Sequence, residues 1–151
     1  EKANFVKRLG ADQIIHYPTQ DVIAEVLQYT DGKGVDIALD TVGADVLQSC
    51  FSCIKPYGDV VTILQPTKDT DWGEARKRNV RFSFELMLSP VLMELDDAKC
   101  HQADILRQCA ALFEQGRLTV EIAQTFDLSN AAEAQPYLEQ NHPTGKLVMT
   151  L

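Results

Sequence analysis

What most restricts the fold of this chain is a regular alternation over its first half, in which short β-branched runs are separated by stretches with helical apolar spacing. Residues 13–17 (QIIHY), 35–39 (VDIAL) and 59–64 (DVVTIL) read as strands. Between the first two, a cap at Thr19 or Asp21 precedes Val22, Ile23, Val26, Leu27 and Thr30, which share one helical face. Between the last two, a helix from about Ala44 carries Leu47, Cys50, Phe51 and Ile54 on one side. Pro18, Asp31-Gly32-Lys33-Gly34 and Pro56-Tyr57-Gly58 punctuate these segments. Strand–helix–strand alternation of this kind folds as a parallel sheet with right-handed crossovers. The mostly apolar VDIAL run suits a strand covered on both faces.

The remainder changes character. Residues 1–9 read as the tail of a helix stopped by Gly10, and residues 65–79 as a polar loop or short helix. In residues 80–88, Val80, Phe82, Phe84, Leu86 and Leu88 alternate with Arg81, Ser83, Glu85 and Met87, which predicts a strand at a sheet edge or interface, ended by Pro90. A long helix is expected from Asp96 or Asp97 to Gln115, with Ala103, Leu106, Ala110 and Phe113 as its stripe and Gly116 at the stop. Residues 119–128 read as a strand, 129–138 as a short helix broken by Asn141-His142-Pro143, and 145–151 as a final strand.

Composition narrows the function classes. Fourteen Lys and Arg against 22 Asp and Glu give a net charge of -8. That surface repels phosphate backbones and anionic lipid, so neither nucleic acid nor a membrane surface is expected as a partner. The four cysteines, Cys50, Cys53, Cys100 and Cys109, all fall in expected helices, which suits reduced thiols in a soluble cytoplasmic protein. Cys50 and Cys53 lie on one helix flank with no second pair to complete a tetrahedral site, so core packing is the preferred role. Cys100 and His101 with Asp97 and Asp104 lack a rigid fourth ligand. His16 and His142 have no triad partners. No residue of the chain is assigned a catalytic or metal-binding role.

Ligands of open parallel sheets bind outside the carboxyl ends of the strands. That rule selects Asp40-Thr41-Val42-Gly43 after the second expected strand and Ile63-Leu64-Gln65 after the third. Asp40 can equally cap the following helix and Gly43 form a tight turn.

Several segments, taken in order, resemble the medium-chain dehydrogenase/reductase superfamily. They are Leu9-Gly10-Ala11-Asp12 with Ile14-Ile15-His16-Tyr17, Asp31-Gly32-Lys33-Gly34-Val35-Asp36 with Leu39-Asp40-Thr41-Val42-Gly43, and Lys55-Pro56-Tyr57-Gly58-Asp59-Val60-Val61. Phe126 and Leu128 through Ala134 to Gly145-Lys146-Leu147-Val148 resemble the end of those proteins. The zinc-independent quinone oxidoreductase branch is the most similar. The resemblance implies a partial Rossmann-like α/β domain over residues 1–118, lacking its first strands and the Gly-rich dinucleotide fingerprint. Residues 119–151 would then be the C-terminal segment of a catalytic domain.

By the same resemblance, Thr41, Val42 and Gly43 would lie along the ribose and nicotinamide, with Ile63, Leu64 and Gln65 walling the ring. Lys2 and Tyr17 would reach the 2′-phosphate of NADPH, with NADH as the other candidate cofactor and no zinc in this segment. Strand 80–88 would pair with its symmetry mate in a homodimer; burial under helix 97–115 is the plainer reading, and both can hold. The implied function is that of a fragment, probed alone expected to be inactive, of an NAD(P)H-dependent oxidoreductase acting on a quinone, enone or other small carbonyl substrate. A zinc-dependent alcohol dehydrogenase and a non-catalytic α/β interaction module are the alternatives.

Overall fold

The computed structural model describes residues 2–151. In chain order its elements begin with α1 (Lys2–Arg8), α2 (Val22–Tyr29), β1 (Val35–Asp40), α3 (Asp45–Cys53), β2 (Ile54–Thr62), α4 (Gly73–Lys77) and β3 (Arg81–Phe84). There follow α5 (Ser89–Leu92), α6 (Asp96–Glu114), β4 (Ile122–Asp127), a 3-10 turn (Leu128–Asn130), α7 (Ala131–Asn141) and β5 (Lys146–Thr150). They form two compact units. One is Gln13–Glu94; the other joins the residues before Gln13 to Leu95–Leu151.

In the first unit the three strands are parallel and adjacent in the order β1-β2-β3. The register aligns Asp40 with Thr62 and Thr62 with Phe84, so these three residues form one row at the carboxyl edge of the sheet. Two residues earlier, Ala38, Val60 and Phe82 form the corresponding row on the same face. That face is covered by α3 and α4. Leu47 and Phe51 from α3 and Ala75 from α4 bury against Ile54 and Val60, with Val35, Ala38, Cys50, Val80 and Phe82 packed around them. Spacing of four residues puts Leu47 and Phe51 on one flank of α3, which is why this short helix seats firmly. Aromatic contacts extend the core: Phe51 to Trp72 at 5.3 Å, Trp72 to Phe82 at 4.9 Å and Phe82 to Phe84 at 5.0 Å between ring centroids.

Local signals explain the boundaries. Asp21 caps α2 by accepting from the Ala24 amide at 3.0 Å. At the α2–β1 junction, the Thr30 hydroxyl accepts from the Gly34 amide at 3.0 Å, and Gly34 adopts φ +80°. A side chain there would collide with the Cys53 carbonyl oxygen, so the position requires glycine for both reasons.

Four expectations need correcting. Residues 13–17 are irregular rather than a strand, because no described segment of the unit pairs with them and a strand exists only through its ladder. The third expected strand starts earlier, at Ile54, and ends at Thr62, so Pro56-Tyr57-Gly58 lies within it. The irregular register near Val35 absorbs these residues, with Tyr57 at φ +62°. The alternating run 80–88 pairs only over Arg81–Phe84; beyond it β2 has already ended, and Ser89 and Pro90 open α5, which proline at its start favours. Covering of β1 on both sides is also incomplete. Ile37 and Leu39 point to the face opposite α3 and α4, where they are about two-thirds exposed (66% and 63%).

In the second unit β4 and β5 pair in parallel, with Thr125 opposite Val148 and Asp127 opposite Thr150. Helix α7 connects them, burying Ala134 and setting Tyr137 against Phe126 at 5.7 Å. The helix starts at Ala131, after the 3-10 turn, and runs three residues beyond the expected end at Leu138, until His142 adopts a left-handed conformation. The long helix α6 forms as expected and is followed by Gly116 at φ +67°.

Candidate functional site

The carboxyl edge of the three-stranded sheet is organised by one buried carboxylate. Asp40 ends β1 with no exposed surface, and Thr62 ends β2 at 1% exposure. One Asp40 oxygen accepts from the amides of Val42 and Gly43 at 3.0 and 2.8 Å. The other accepts from the Thr62 hydroxyl at 2.8 Å. The same hydroxyl oxygen accepts from the Leu64 amide at 3.1 Å. Burial alone would raise the carboxyl's pKa, but its bonds from Gly43, Val42 and Thr62 together outweigh that and hold it below its ordinary value. Backbone bonds run parallel to these: the Ile63 amide donates to the Asp40 carbonyl, and the Glu85 amide to the Thr62 carbonyl.

Asp40 does not cap α3. The residue at that position is Ala44, with no side-chain cap, and the carboxylate instead closes the turn through residues 42 and 43. Gly43 is buried at φ +84°, and a Cβ there would approach the Leu64 side chain at 3.1 Å. The turn after β1 and the loop after β2 are therefore in contact.

Beyond Thr62 lies an open cavity of about 340 Å³, lined by Thr62, Ile63, Leu64, Gln65, Phe84, Glu85, Leu86 and Ser89. It joins three residues expected at the site, Ile63, Leu64 and Gln65, to five that sequence reasoning missed, the strand residue Thr62 among them. Phe84, Glu85, Leu86 and Ser89 fell inside or beside the expected strand 80–88. Early termination of β3 turns them to the cavity, and Pro90 was the available signal. The arrangement is an apolar wall carrying an amide, a hydroxyl and one carboxylate. Such a lining offers apolar contact together with groups that donate and accept hydrogen bonds.

Thr41 and Val42 stand exposed on the turn beside this cavity, Val42 at 65%. Tyr17 is 79% exposed in the turn that follows residues 13–16, and Lys2 is exposed at the start of α1 in the other compact unit. Among the described residues, no group of three or more His, Cys, Asp or Glu side chains converges closely enough to hold a metal ion. Cys53 is buried, and burial pushes the Cys50 thiol up to about 11, which suits packing rather than thiolate chemistry. No helix among the described residues is long and apolar enough to cross a membrane.

The chain is similar to known proteins over nearly its full length. The 2-haloacrylate reductase of a Burkholderia species is 30% identical over 99% of the chain, and the quinone oxidoreductase of Pseudomonas aeruginosa is 28% identical over 99%. The crystal structure of an alcohol dehydrogenase superfamily protein from Novosphingobium aromaticivorans superposes on 98% of the chain with a TM-score of 0.85 and 26% identity. The chain spans a little under half of these proteins, 45%, 46% and 45% of their respective lengths. The pattern that defines zinc-binding dehydrogenases matches residues 9–149, almost end to end. With its parallel sheet, the ordered edge at Asp40 and Thr62 and that match, the chain belongs to the zinc-binding dehydrogenase family.

Proposed function

We propose that this chain supplies the nicotinamide-holding part of an NAD(P)H-dependent oxidoreductase that delivers hydride to a quinone, an enone or another small carbonyl compound. The observation that carries the reading is the cavity at the carboxyl edge, where the loops after β2 and β3 meet beside the Asp40-ordered turn. Ile63, Leu64, Phe84 and Leu86 would give apolar contact to the ring, and Gln65 and Ser89 would meet its carboxamide. The exposed turn of Thr41 and Val42, set by Gly43, would follow the ribose. When bound, the reduced nicotinamide supplies the hydride. The chain's residues orient the ring and keep water from one face; the cofactor carries the chemistry. The names of the relatives, a quinone oxidoreductase and a haloacrylate reductase, support an electrophilic acceptor of this kind.

NADPH is the preferred cofactor, through an ammonium at Lys2 and a hydroxyl at Tyr17 directed to the 2′-phosphate. Residues 1–118 are assigned to the nucleotide-binding domain and 119–151 to the tail of a catalytic domain. The protein is further proposed to be a homodimer joined through strand 80–88. In support, β3 is an edge strand, and Phe84 at its end and Leu86 and Leu88 beyond it are about half exposed.

The test is fluorescence titration of the intact protein with NADPH and NADH. Tighter binding of NADPH, weakened about tenfold in Lys2→Ala towards the NADH value, is the expected result. Binding of neither nucleotide would favour a non-catalytic module, and equal binding of both would remove the phosphate role from Lys2.

A further inference from the structure

We infer that Asp40 and Thr62 are positioning residues: a single buried hydrogen-bonded pair that sets the direction of the peptide groups in both loops of the cofactor site. This rests on the nucleotide reading above and adds the means by which the site is held.

The pair is costly where it sits. One row down the same face of the sheet, Ala38, Val60 and Phe82 pack without polar atoms, and an apolar pair would serve the sheet equally well in the last row. Instead a fully buried carboxylate collects donors from the turn after β1, the Val42 and Gly43 amides, and from the end of β2, the Thr62 hydroxyl. Thr62 passes the constraint on by accepting from Leu64. Among the described residues no buried side-chain nitrogen or oxygen lacks a partner, so the network is closed.

The direction of these bonds has a chemical consequence. In a trans peptide the carbonyl points opposite to the amide hydrogen. Amides of Val42 and Gly43 that donate inward to Asp40 leave the Thr41 and Val42 carbonyls facing away from it. The Leu64 amide, donating to Thr62, does the same for the Ile63 carbonyl. The carboxylate and the hydroxyl it holds thus turn both loops acceptor-side out. Such a rim receives ligand groups that donate, sugar hydroxyls and a carboxamide NH2, and disfavours a phosphate, which would need the amides it has turned inward. A protonated or neutral substitute at position 40 could not hold both loops by acceptance alone.

Thr62→Val removes the hydroxyl at nearly constant volume, while Thr62→Ser keeps it. Hydrogen exchange of the intact protein would be read at the Val42 and Gly43 amides, which lie on the loop that Thr62 does not belong to. Exchange there should quicken about tenfold in Thr62→Val and stay near wild type in Thr62→Ser. Asp40→Asn should likewise quicken exchange at Leu64. NADPH affinity should fall about tenfold in Thr62→Val and recover in Thr62→Ser, with NADH following the same pattern. Unchanged exchange at Val42 and Gly43 in a folded Thr62→Val protein would overturn the inference. So would a loss of affinity that Thr62→Ser fails to restore. Wild-type protein that shows the coupled exchange yet binds neither nucleotide would sink the cofactor reading and leave the coupling of the two loops standing.

Discussion

Gly34 and Gly32 share a positive φ, +80° and +76°, but only Gly34 faces backbone that a Cβ would strike. The two positions therefore separate conformational strain from collision. Gly32→Ala should cost about 1 kcal/mol, the price of the left-handed conformation alone. Gly34→Ala should cost about 3 kcal/mol, because the Cys53 carbonyl region must also move. Urea denaturation of both variants checks the difference, and equal losses would contradict it. Asp40 gives a prediction in pH. Its folded pKa lies below the ordinary value of 3.8, with burial opposing the shift and the Gly43, Val42 and Thr62 bonds producing it. A depressed carboxylate contributes stability above its unfolded pKa and loses it as pH falls through the folded one. Asp40→Asn should thus be less stable by about 2 kcal/mol at neutral pH. The gap to wild type should stay level down to about pH 4 and narrow below it. A gap that widened with acid would refute the assignment.

At the scale of elements, the sheet depends on aromatic packing more than on helix strength. Phe51 is fully buried and touches both Trp72 and Phe82, so Phe51→Ala should cost about 4 kcal/mol in chemical denaturation. Strand β3 should be the element through which two copies meet. Leu88→Asp places a charge on the exposed segment beyond it and should convert a dimer to monomer in sedimentation velocity, whereas an unaltered dimer would move the interface elsewhere. Much of this layout was legible in the sequence, since β1, α2, α3 and α6 announce themselves through periodicity, the Asp21 cap and glycine stops. The first expected strand was not, because β-branched content in residues 13–17 signals a capacity to pair but cannot supply a neighbour. The end of β3 was misread for a related reason. Alternation continues through Leu88, yet pairing stops where β2 stops, a length set by another part of the chain. That the DTVG turn and the ILQ loop follow strands is legible in the pattern of residue types. The Asp40–Thr62 bond that joins them depends on strand register, which a pattern of residue types does not specify.

At the scale of the whole molecule, the proposed function places a nicotinamide nucleotide at the carboxyl edge of the three-stranded parallel sheet. With a net charge of -8, a bound phosphate has to be met by local cations rather than by the general field, the role proposed for Lys2. The measurement that tests the claim most directly is hydrogen exchange of the intact protein with and without saturating NADPH. Slowed exchange at residues 41–43, 63–65 and 84–86, and around Lys2 and Tyr17, is the predicted outcome. Protection that appears elsewhere in the chain while these three loops exchange unchanged would contradict it.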